Sequence, residues 1–168
     1  MMDKIFQKAV CIALACVALM LASCNQEEYK KEIDATKVAT ELSQTTPTES
    51  KWINEDQAFI GEYIEIDEYV KESQIFYAQN TNDLDEFGIF EVEEGKAQEV
   101  QKRLLSGYLK KRYDENLEWY NSYMPTQTPK LRDAEVRVYG NCVVYAVLSK
   151  ETRKTFFDEC EKLLKNKE

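Results

Sequence analysis

Histidine is absent from the 168-residue chain. That single gap removes Ser-His-Asp and Cys-His nucleophile systems, His-ligated zinc and the commonest general base. Glycine is scarce, at five residues, and none falls in a spacing that cradles a phosphate or a dinucleotide. Proline is scarcer, at three, and none interrupts the stretch from Lys96 to Tyr120. Long apolar runs are missing too. The N-terminal run Ala9 to Leu21 has 13 residues and rises only about 20 Å as a helix, short of the roughly 30 Å hydrocarbon core that a permanent span must cross. Basic residues are outnumbered, 22 to 31, for a net charge of −9.

What is present fits one domain with a real core, at 43% apolar and 32% charged residues. Lys4 and Lys8 precede the apolar run, which ends in Leu21-Ala22-Ser23-Cys24. This order reads as a removable export signal over residues 1–23. The four residues resemble the lipobox of bacterial lipoproteins, in which a branched apolar and two small residues precede a cysteine that receives diacylglycerol. The resemblance implies lipid on Cys24 and a place at the outer face of the cell membrane. Palmitate and a second acyl chain together meet the two-signal requirement for stable anchoring, at about 0.8 kcal/mol per buried methylene. Residues 1–23 hold Asp3, Lys4 and Lys8, so their removal makes the remainder one unit more negative than the whole chain. Such a surface repels nucleic acid and anionic lipid, which leaves lipid on Cys24 as the membrane contact.

Five cysteines reduce to two once Cys11 and Cys16 leave with the signal and Cys24 is lipidated. Val136 to Leu148 reads as a hairpin turning at Gly140-Asn141. It places Val136, Val138, Val143, Tyr145 and Val147 on one face and Cys142 on the other. Cys160 lies on the apolar stripe of a C-terminal helix, Glu151 to Lys165, expected to pack on the valine face. A sheet would then separate the two sulfurs, which argues against a disulfide.

Along the chain, Asn25 to Glu32 reads as a polar tether, and Ile33 to Leu42 as a short helix opened by Asp34. The breaker-rich link Gln44 to Ser50 follows. Asn54 is expected to cap a short helix ending before Gly61. Gln74 to Gln79 and Phe87 to Val92 read as an antiparallel hairpin, and Lys96 to about Tyr120 as the longest helix. The expected divisions are 1–23 signal, 24–50 lipidated Cys, tether and link, and 51–168 a single α+β domain. Its order is ββαββα, an antiparallel sheet of two hairpins with helices packed on one face.

The stretch Asp83 to Val147 resembles a family of small lipoproteins of low-GC Gram-positive bacteria, classed only as a domain of unknown function. The residues carrying the resemblance are the strand after an Asn/Asp-rich loop (Asn82 to Phe90), a long helix bearing Arg112, Tyr123-Met124-Pro125, and the Gly140-Asn141 turn. Cys142 stands where that family usually shows an aromatic. The resemblance implies place and fold, and no activity, cofactor or site.

Three constellations carry chemistry. Oxygens of Asn80, Asn82, Asp83, Asp85 and Glu86 share one loop, but Leu84 and Asp85 break the calcium-loop pattern, and turn chemistry accounts for them. Glu91, Glu93 and Glu94 supply the carboxylate pair a glycoside hydrolase needs, without an apolar pocket signalled nearby. Aromatics crowd the long helix: helical spacing puts Tyr108 and Tyr120 in the core, and leaves Trp119 and Tyr123 as candidate partner contacts. The expectation is a noncatalytic binding or accessory module without metal or cofactor, meeting a protein, peptide or glycan at the cell envelope. The alternative is a carboxylate-based hydrolase of envelope glycan or peptide.

Overall fold

The computed structural model describes residues 28–166. In chain order the elements are α1 (Ala35–Thr45), β1 (Trp52–Glu55), single 3-10 turns at Gln57–Ile60 and Asp67–Tyr69, β2 (Val70–Ala78) and β3 (Glu86–Val92). A long helix follows in three parts: α2 (Ala97–Lys102), a π-helical stretch (Arg103–Leu109) and α3 (Lys110–Tyr123). The chain continues through α4 (Thr128–Arg132), β4 (Glu135–Tyr139), β5 (Cys142–Val147) and α5 (Lys150–Leu164). The strands form one antiparallel sheet in the order β1-β2-β3-β5-β4. The α+β class and both hairpins are as expected from sequence. Gly140 turns the second hairpin at φ +61°, a conformation that costs glycine little.

The helices cover both faces of the sheet rather than one. β5 reads Cys-Val-Val-Tyr-Ala-Val, with all six residues buried. A strand apolar at every position needs cover on both sides. Val136, Val143, Tyr145 and Val147 pack with Val100, Leu104, Tyr108 and Tyr120 of the long helix. The opposite face sets Cys142, Val144, Ala146, Phe87 and Ile89 against α1 and α5. The valine face is therefore taken by the long helix, and α5 packs on the Cys142 face instead of the expected one. Cys142 and Cys160 consequently share one apolar cluster, both buried as free thiols. The reason given for keeping them apart does not hold.

β1 was not anticipated. Asn54 lies in this edge strand opposite Phe76, and the helix-like turn is capped two residues later, where Asp56 Oδ1 accepts from Ala58 N at 2.8 Å. Trp52 holds the strand in place: its indole donates to Thr46 O at 3.1 Å and its ring meets Phe87 edge-on at 5.1 Å. Asp34 does open α1, accepting from Lys37 N at 2.7 Å, and Glu72 of β2 accepts from Ala35 N at 2.7 Å. Ala35, Ala39 and Leu42 are fully buried. The helix ahead of the 44–50 link thus belongs to the same core as the sheet.

Candidate functional site

The most elaborate polar cluster starts from one charged residue on an apolar strand face. Glu86, Phe90 and Val92 all point toward the long helix, and Glu86 is only 2% exposed. A buried carboxylate needs partners, and three converge on it. Tyr108 donates to Oε1 at 2.6 Å and Tyr145 to the same oxygen at 2.7 Å. Arg112 donates to Oε2 at 2.8 Å and to the Tyr108 hydroxyl at 2.9 Å. Gly88 makes room for this, because a Cβ there would run into the Tyr145 ring and Phe90.

The helix reaches the cluster through its π-helical stretch, which carries Tyr108. Local π geometry of this kind is rare and often sits at functional positions. One turn on, Arg112 projects to the same side. Burial, reinforced by Glu86, holds the Tyr108 and Tyr145 phenols protonated far above their ordinary range. Burial works against the charge on Arg112, but Glu86 outweighs it and keeps the guanidinium ionised. Every donor is therefore fixed in its donating form.

A second cluster sits at the start of β3. Lys130 Nζ lies 2.9 Å from Asp83 Oδ1 and 2.6 Å from Asp85 Oδ1, and all three side chains are largely buried. Burial raises the Asp85 carboxyl, against the pull of Lys130. The ammonium takes the position a cation would need between the two aspartates. Asn80 instead caps its own turn, accepting from Asn82 N at 3.0 Å, and Glu86 turns into the core. The five oxygens of the loop do not converge, and Asn80 and Asp83 make the turn hydrogen bonds that the sequence reading favoured. Among the described residues no group of three or more acidic or thiol side chains is arranged to hold a metal.

Glu91 and Glu93 flank Lys71 at 4.0 Å each, while Glu94 is exposed. Burial raises the Glu91 carboxyl, with Lys71 opposing it. Trp119 and Tyr123 are 51% and 74% exposed, their rings 5.5 Å apart. Tyr108 and Tyr120 are buried, as the helical spacing predicts. Cys24 lies outside the described residues.

Sequence reasoning placed Glu86 among the loop oxygens and Tyr145 on the valine face without joining them, passed over Lys130, and noted Arg112 only through the family resemblance. The available signal was a glutamate at an inward position of a strand otherwise apolar on that face, paired with Tyr108 and Arg112 at i, i+4. Lys130 carried no such signal, because α4 is a short helix whose placement depends on the turn after Met124.

No curated protein and no solved structure matches the chain. Residues 53–148 match the model of a domain of unknown function, DUF4358. That match takes in β1 from Ile53 onward, β2 to β5, the long helix and both buried polar clusters, and so the chain belongs to the DUF4358 family.

Proposed function

We propose that this protein is a lipid-anchored lipoprotein of the bacterial cell envelope, of the low-GC Gram-positive type, acting outside the membrane as a noncatalytic binding or accessory module. The observation that carries the reading is Leu21-Ala22-Ser23-Cys24 at the end of the apolar run behind Lys4 and Lys8. Diacylglycerol on Cys24 holds the chain at the outer face, and the signal ahead of it is removed. The contact surface is the exposed ring pair Trp119 and Tyr123. Exposed aromatics of this size supply large contact area at small entropic cost, and they dominate binding energy where they meet a partner.

Metabolic labelling with a palmitate analogue tests the anchor. The parent protein takes the label and sediments with membranes; Cys24→Ala loses both properties. An unlabelled parent, or a labelled Cys24→Ala protein, ends the anchoring reading. Crosslinking in intact cells tests the contact surface. A protein, peptide or glycan captured by the parent and lost from Trp119→Ala with Tyr123→Ala supports it, and equal capture by both counts against it.

A further inference from the structure

The first described residues are not free chain. Lys30 N donates to Leu164 O at 3.0 Å and Asn166 N donates to Glu28 O at 3.0 Å, on either side of a β-bridge between Tyr29 and Lys165. Lys165 also pairs with Glu28 at 3.0 Å, and the Lys30 ammonium donates to Leu163 O at 2.6 Å. The Tyr29 ring meets Tyr139 edge-on at 5.3 Å. A short strand-like segment is thus clamped to the end of α5 and against the Gly140-Asn141 turn. Asn141 reinforces the clamp by donating to Lys31 O at 3.4 Å.

This clamp shortens the tether. The sequence alone suggested a polar stalk through Glu32, but only the steps from Cys24 to Glu28 remain to bridge lipid and domain. Four residues span at most about 14 Å when fully extended. A domain held on so short a leash cannot tumble freely over the bilayer. We infer that the protein sits on the membrane by one defined end, the edge where Tyr29, Gly95, Gln98, Gly140 and Asn141 surround a shallow cavity of about 240 Å³, with its occupant the headgroup surface of the leaflet that holds the lipid. This rests on lipidation of Cys24.

The rest of the orientation follows from the topology. The long helix starts at this edge, beside Gly95, and runs away from it. Gln98 and Ser122 are separated by about 35 Å of helical rise, well beyond the tether's reach. At the far end, α4 places Lys130 on Asp83 and Asp85, ahead of the start of β3. Trp119 and Tyr123 lie on that distal side. The exposed aromatic pair therefore faces outward, and the Gly140-Asn141 turn faces the bilayer. The near edge carries Lys31 and Lys96 beside Glu93 and Glu94, all exposed. This mixed-sign surface can approach headgroups without the repulsion expected from the acidic whole.

The test uses the full-length lipidated protein in vesicles of phosphatidylcholine and phosphatidylglycerol carrying a headgroup nitroxide. A thiol-reactive fluorophore is placed on Gln98→Cys or on Ser122→Cys. Cys142 and Cys160 are 1% and 0% exposed, so one label per chain reports both selectivity and folding. Severalfold stronger quenching at position 98 than at 122 is the expected result. Equal quenching, or stronger quenching at 122, in a preparation whose Cys24 carries lipid by mass spectrometry overturns the orientation and leaves the anchor standing. Absence of lipid on Cys24 overturns the anchor and the orientation together. Inserting about ten Gly/Ser residues after Asn25 lengthens the leash by an r.m.s. span of roughly 17 Å and is expected to erase the contrast. A contrast that survives the insertion overturns the assignment of the orientation to tether length.

Discussion

At the scale of single residues, Glu86 is the position on which the most depends. Its carboxylate binds Tyr108, Tyr145 and Arg112 inside the core. Glu86→Gln leaves the buried guanidinium without its countercharge and is expected to cost about 3–5 kcal/mol. Tyr145→Phe removes one of three donors and is expected to cost about 1–2 kcal/mol. Urea unfolding followed by tryptophan fluorescence measures both, and a Glu86→Gln protein as stable as the parent would show that the pair contributes nothing net. A second expectation concerns alkaline pH. Burial raises the Cys142 and Cys160 thiols above their ordinary value of 9.0, and raises the Tyr108 and Tyr145 phenols above 10.0. The folded-state pKa of each group exceeds the unfolded one, so the unfolded chain loses these protons first. The stability they give is whole below about pH 9 and is lost as pH rises through the folded values, at up to about 1.4 kcal/mol per pH unit per group. The urea midpoint should therefore fall from about pH 9 upward. It should fall less steeply in Cys142→Ala, whose stability at neutral pH is lower.

At the scale of elements, the long helix shows how a local irregularity is set by a neighbour. Gly107 lies in the π-helical stretch, and a Cβ on it would strike the branch methyl of Ile64. Alanine in place of glycine ordinarily strengthens a helix by about 1 kcal/mol. Here Gly107→Ala is expected to destabilise by about 1–3 kcal/mol, since Ile64 Cγ2 sits on a β-branched carbon that can yield only by leaving its rotamer or shifting its backbone. Ile64→Ala should cost less in the Gly107→Ala background than in the parent, and additive effects in the double-mutant cycle would remove the explanation. The helix itself was legible from its apolar spacing and its freedom from proline. The π-helical stretch was not, because a 3.6-residue pattern does not report where one extra residue enters a turn. β1 was hidden for a related reason. Four residues with a single aromatic anchor make too weak an alternation to outweigh the capping signal of Asn54.

At the scale of the molecule, the core has two compartments divided by the sheet, and α1 closes one of them. A chain beginning at residue 28 is expected to unfold at the same urea concentration as one beginning at 24, since the clamp on Lys165 is intact in both. A chain beginning at Lys51 loses the burial of Ala35, Ala39 and Leu42 and uncovers part of the Phe76 and Phe87 face. It should be less stable by at least about 3 kcal/mol. Equal midpoints for the two shorter chains would show that α1 contributes nothing to the core.

The sequence by itself determined the α+β class, both hairpins, the Gly140 turn, the caps at Asp34 and the burial of Tyr108 and Tyr120. All of these are written in local spacing, where alternation, helical period and turn chemistry act within a few residues. Only the tertiary structure decided which face each helix covers, that Cys142 and Cys160 lie on one side, and that Lys130 settles between Asp83 and Asp85 while Arg112 settles on Glu86. Those outcomes depend on which surfaces are left free once the long helix has taken the valine face. They also depend on buried charges finding partners that stand 26 and more positions away along the chain, distances over which a single sequence carries no spacing rule.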